Sequence, residues 1–186
     1  MLDSHLDNHI LVVEYDPAWP GAFEREKAAV CAAMADLIVD IQHIGSTAIP
    51  GLHAKPVIDV LIAVPHFTAM QEYARRLAPL GYRHQTQPME SVRIFFRKGL
   101  PRTHHLHIVE DGSDEHRRLV LFRDYLLKHP EIATAYEDLK QELAERFADS
   151  RPQYTESKTD FVESIVALAV AENQEQESGL LARTSC

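Results

Sequence analysis

The chain has 186 residues, 45% hydrophobic and 25% charged, which suits one ordinary domain with a single core. A formal charge of -9 argues against a broad nucleic-acid surface while leaving room for a local basic pocket. The two cysteines, Cys31 and Cys186, give neither a disulfide framework nor zinc-ligand spacing, and no apolar run reaches the roughly 20 residues of a membrane helix. With no basic-then-apolar segment at its start, the chain is expected to be soluble in the reducing cytoplasm.

Residues 1–9 are polar and read as a flexible N-terminus. Residues 10–15 read as a short strand. Asp16-Pro17 then opens a helix, with Asp16 as N-cap and Pro17 in the first helical position. Phe23, Val30, Met34 and Leu37 keep helical spacing through it, and Trp19 and Phe23 belong to the core rather than to a stacking platform. A strand near 38–44 runs into a Gly45-Ser46 turn, and a loop closed by Pro56 leads to a strongly apolar strand over 57–64. Residues 69–80 predict a helix with Met70, Tyr73, Leu77 and Leu80 on one face and Gly81 as its C-cap.

Three short strands follow, at about 82–85, 92–97 and 104–109, with a turn over 97–102. The last third is helical. One helix spans about 114–128, and a second starts at Pro130 with Ile132, Tyr136, Leu139, Leu143 and Phe147 in one stripe. A third spans about 155–172 with Phe161, Ile165 and Leu168 in line. Residues 173–186 read as a disordered tail. The order predicts a single domain over 10–172, an α/β (α+β) mixed sheet with a helical C-terminal cover.

Asp59 is the one carboxylate in the apolar strand 57–64, on the face it shares with Val57, Leu61 and Ala63. A buried carboxylate needs a partner, either a metal ion beside a nucleotide phosphate or a core Lys or Arg. Gly45 and Ser46 supply open backbone N–H groups and a hydroxyl, which suit phosphate, although an ordinary turn has the same composition. His105 and His107 share one strand face, opposite Leu106 and Ile108, and can bind metal, contact phosphate or shuttle protons. The structural alternative is a pair of half-buried histidines bonded to neighbours. Arg93, Arg97, Lys98 and Arg102 form a local positive cluster that fits an anion or a charged hairpin edge, and Lys55, in the loop between the Gly45-Ser46 turn and the 57–64 strand, is a candidate to neutralise phosphate or a solvated lysine.

The stretch HIGSTAIPGLHAKPVIDVLIAV over 43–64 resembles the signature of the GrpB (UPF0157) family of nucleotidyltransferase-like proteins. VEYDPAWP at 13–20, FFRKG at 95–99, RTHHLH at 102–107, FRDYL at 122–126 and YTESK at 154–158 add to the likeness, which covers roughly residues 10–170. The resemblance implies a nucleotidyltransferase-like fold, a nucleoside triphosphate as ligand, and Mg2+ or Mn2+ at Asp59, with Zn2+ as a lesser alternative. It also makes Arg123, Tyr154 and Lys158 candidate pocket residues, beside the plainer reading of helix-surface packing.

One departure stands out. Active members of that superfamily present two acids two residues apart, and here the second position is Leu61. His105 and His107, joined by His43, are the candidate substitutes as metal ligands, and a histidine is the candidate general base. Two functions follow. One is metal-assisted nucleotidyl transfer to an unidentified acceptor. The other is a non-catalytic nucleotide- or anion-binding accessory module, which the occurrence of similar domains fused to dephospho-coenzyme A kinase links to coenzyme A synthesis.

Overall fold

The computed structural model describes residues 9–184. The expected flexible N-terminus falls, apart from His9, outside the described residues. Helix α1 spans Trp19–Met34, followed by strands β1 (Asp40–Ile44) and β2 (Ile58–Val64). Helix α2 (Met70–Leu77) precedes β3 (Tyr82–His84), β4 (Ile94–Lys98) and β5 (His104–Glu110). The C-terminal part is α3 (Asp114–Lys128), α4 (Pro130–Arg146), α5 (Arg151–Glu156) and α6 (Thr159–Thr184). Among the described residues, no helix is long and apolar enough to cross a membrane.

The strands form one mixed sheet in the order β1-β2-β5-β4-β3. Only β2 and β5 run parallel, with Asp59 opposite His105 and Leu61 opposite His107. The other pairs are antiparallel. Strand alternation then sorts the side chains. Ile58, Val60, Ile62 and Val64 of β2, with Leu106 and Ile108 of β5, pack on the first face against Phe23, Val30 and Met34 of α1 and Tyr73 and Leu77 of α2. Asp59, Leu61, His105, His107 and Val109 point to the second face. There Leu119 and Val120 of α3 cover Ile44, Leu61 and Val109. Helices α3, α4 and α6 close around Ile49 and Leu52, which lie in the loop between β1 and β2.

Three local expectations are corrected. Residues 10–15 form no strand beyond a bridge between Val13 and Ala54. Ile10 and Val12 pack against the C-terminal helices while Val13 and Tyr15 pack against the α1 side, so the segment straps two cores together. Helix α1 begins at Trp19, because the Asp16 carboxylate accepts the Ala18 N–H at 2.8 Å and its carbonyl accepts the Trp19 N–H at 3.0 Å. That closes a turn ahead of the helix, and Pro20 instead of Pro17 occupies its first turn. At the other end, α6 runs through most of the segment read as a disordered tail. Its Glu, Gln, Ala and Leu residues are strong helix formers.

Candidate functional site

Asp59 sits near the start of β2, and the parallel register with β5 sets His105 directly beside it. His105 Nδ1 donates to Asp59 Oδ1 at 3.0 Å. His107, two residues on and on the same face, brings Nε2 to 3.5 Å from the same oxygen. One ligand atom from each of Asp59, His105 and His107 lies within 4.8 Å of the other two. All three side chains are half-buried, between 14% and 24% exposed. Phe95, from β4, packs on both imidazoles with ring centroids 5.2 and 5.0 Å away. The far nitrogens, His105 Nε2 and His107 Nδ1, are buried with no hydrogen-bond partner among the described residues. Asp59 and Phe95 both bear on the orientation of the two rings.

The turn after β1 completes one wall. Gly45 adopts φ 71° and lies against the carboxylate: a Cβ there would collide with Asp59 Oδ2 and stand 3.0 Å from Cγ. Only glycine gives both that dihedral and that approach. Ser46 opens a short 3-10 turn, Ser46–Ala48, and its side chain meets the Tyr136 hydroxyl from α4. Thr47 is buried and donates to the Val57 carbonyl, so the neighbouring His43 Nε2, at 2.9 Å, donates to Thr47 Oγ1.

The electrostatics keep Asp59 ionised. Burial alone raises its pKa, but hydrogen bonds and charge from His105 and His107 together hold the carboxyl well below the usual carboxylate range. Burial lowers the His107 pKa, with Asp59 opposing. The helical cover adds cations. Lys158, just after α5, stacks over the Tyr154 ring at 4.1 Å. Burial pulls its pKa down to about 8, against the attraction of Asp59. Lys140 of α4 is 2% exposed, lies 4.9 Å from the Tyr136 ring centroid and donates to the His53 carbonyl. Burial, reinforced by Lys158, brings its pKa to about 7.

Several predicted site residues are placed elsewhere. His43 projects to the first face, stacked on Phe23 at 4.8 Å, so it does not join the metal-competent group. Burial lowers its pKa to about 4. Lys98 also faces away, bonded to both carboxylate oxygens of the buried Glu26 at 2.7 and 2.9 Å. Arg93 stays near the site but is held by Glu115 of α3 at 2.7 Å. Arg97 lies on the Asp59 face, opposite His105 in the sheet. Lys55 and Arg102 line a separate groove of about 550 Å³ with Pro101 and Arg151, and Lys55 Nζ is buried with no hydrogen-bond partner among the described residues. Arg123 of α3 donates to the Gln42 side chain at 2.7 Å and to the His43 carbonyl at 3.0 Å, so it pins the open edge of β1.

Lys140 was not anticipated from the sequence. A signal existed: it lies on the same face of α4 as Ala133, Tyr136 and Leu143, all buried, where a lysine breaks the apolar stripe.

The GrpB protein family model matches residues 9–168. A UPF0157 protein of Pseudomonas aeruginosa is 39% identical over 182 residues, which cover 94% of this chain and 74% of that protein. The crystal structure of conserved protein GrpB from Enterococcus faecalis aligns with a TM-score of 0.82 at 36% identity, over 88% of this chain and 99% of that one. Dephospho-CoA kinase of Mycolicibacterium paratuberculosis is 27% identical over 163 residues, covering 74% of this chain and 40% of the kinase. The Cid1 poly(U) polymerase aligns weakly, with a TM-score of 0.42 at 10% identity over 70% of this chain and 44% of that one. The architecture is an α+β mixed sheet under a helical cover. Within that class, the chain belongs to the GrpB family.

Proposed function

We propose that this GrpB-family protein binds a nucleoside triphosphate at the Asp59 site and transfers its nucleotidyl group to an acceptor. One divalent cation would be held by Asp59, His105 and His107. The grouping of one ionised carboxylate with two imidazoles, beside a glycine turn, carries this reading.

The donor set bears on which cation fits. Mg2+ takes oxygen ligands and keeps its waters, whereas two imidazoles and a carboxylate suit Mn2+ or Zn2+. Leu61, in place of a second acid, is 1% exposed and packed against Ile44 and Val109. The residues therefore fit one ion and not a two-metal clamp. A bound cation would supply Lewis-acid polarisation of a phosphoryl oxygen. The protein's own groups do the rest. Gly45 brings backbone close to the reacting phosphate, Ser46 offers a hydroxyl, and Lys158 supplies positive charge from the helical cover. A cytoplasmic setting, where nucleoside triphosphates are abundant, is part of the same proposal.

Leu61 also favours a second reading, a nucleotide- or anion-binding accessory module without turnover. The match to dephospho-CoA kinase points that reading toward coenzyme A synthesis. Release of pyrophosphate from ATP with Mn2+, Zn2+ or Mg2+ separates the two. Transfer predicts metal-dependent release that falls about a hundredfold or more in Asp59→Asn and His105→Ala. Stabilisation of the fold by ATP without any pyrophosphate release would favour the accessory module.

A further inference from the structure

Among the described residues, the helical cover holds two buried lysines with no carboxylate in ion-pair contact, Glu137 acting on Lys140 only from a distance. Lys140, almost fully buried, gives a hydrogen bond to the neutral His53 carbonyl. Glu137, on the same helix, is taken up by His53, bonding its Nδ1 at 2.6 Å and its backbone N–H at 2.8 Å. Lys158 rests on the Tyr154 ring and has no carboxylate within 4 Å among the described residues. The two lysines repel each other, and Asp59 is the anion that attracts Lys158. Nearby, Tyr136 and Ser46 join their hydroxyls where the glycine turn meets α4. Other half-buried cations are matched, Lys98 to Glu26 and Arg93 and Arg118 to Glu115, although Lys55 Nζ is also buried without a hydrogen-bond partner among the described residues.

Burying a cation without a counter-ion is unfavourable, and two side by side more so. A folded state gains most when an external anion sits between them. We infer that Lys158, backed by Lys140 and flanked by Ser46 and Tyr136, forms a subsite for a phosphate chain on the helical side of Asp59. The inference rests on the nucleotide reading above and assigns the β- and γ-phosphates to the helical cover. Lys158 makes the contact, Lys140 adds charge from behind, and the hydroxyls donate to phosphate oxygens. It asks nothing of the cation, because the lysines carry the neutralising charge themselves.

Calorimetric titration with pyrophosphate in EDTA tests this with the cation removed. The wild-type protein should bind, and Lys158→Met should bind about tenfold more weakly or worse. Lys158→Arg should keep most of the affinity, and Lys140→Met should lose part of it. Asp59→Asn should bind pyrophosphate at least as well as wild type, since a like charge has gone. Inorganic phosphate should bind about tenfold more weakly than pyrophosphate. Melting curves check the folding of each variant, and both methionine variants are expected to melt no lower than wild type. Pyrophosphate affinity unchanged in Lys158→Met, no pyrophosphate binding by the wild type, or equal affinity for phosphate would each overturn the subsite. Loss of cation binding with pyrophosphate binding intact would overturn only the metal reading.

Discussion

Gly45 sets the distance between the turn and the carboxylate, so the site depends on a residue that carries no functional group. Its φ of 71° and the clash a Cβ would make with Asp59 predict that Gly45→Ala costs about 2 kcal/mol or more in urea unfolding. A loss under about 0.5 kcal/mol would show that the turn can move away from Asp59. Lys140 makes a second residue-level prediction. Its folded pKa, about 7, lies below the 10.5 of an exposed lysine, with burial as the main cause. Between those values the unfolded chain binds more protons than the folded one, so stability rises with pH through that window. Lys158, lowered to about 8, acts in the same direction. Urea unfolding at pH 7 and 9.5 should find the wild type more stable at 9.5, with a smaller rise in Lys140→Met. A wild-type protein that loses stability over that range would contradict the burial of these lysines.

At the scale of elements, the parallel pairing of β2 with β5 builds the site. Adjacent in sequence, β1 and β2 form an antiparallel pair, but Asp59 meets His105 only because β5 returns alongside β2. The sequence identified both strands and the alternation that puts His105 and His107 on one face, since period-2 patterning is a local signal. It did not reveal which face His43 would take: one residue of register separates Phe23 from Asp59 as its neighbour. It also could not pair Lys98 with Glu26, because the partner lies 72 positions away on α1. Helix starts and ends were misplaced where a side chain intervened, as the Asp16 turn does ahead of α1. Leu61 gives the element-level prediction. Leu61→Asp would restore the missing acid by sequence, but it places a carboxylate among Ile44, Val109, Leu119 and Val120. It should cost more than about 3 kcal/mol in unfolding and gain no pyrophosphate release. A stable and more active Leu61→Asp protein would show that the second position is open to a metal.

For the molecule as a whole, a charge of -9 coexists with a site whose helical cover is cationic. Acidic side chains are held in internal pairs, such as Glu26 with Lys98 and Glu115 with Arg93, whereas Lys140 donates to the His53 carbonyl and Lys158 rests on the Tyr154 ring. The sheet presents the carboxylate and imidazoles, and the helical layer holds the two buried lysines. The family assignment places the fold, while the site's donor set bears on its chemistry. The central claim is that Asp59, His105 and His107 bind one divalent cation. Electron paramagnetic resonance of Mn2+ titrated into the protein, after dialysis against chelator, tests it most directly. One bound Mn2+ per chain is predicted, with affinity lowered about tenfold or more in His105→Ala, His107→Ala and Asp59→Asn and unchanged in His43→Ala. No bound Mn2+, or binding that survives loss of both His105 and His107, would contradict the account.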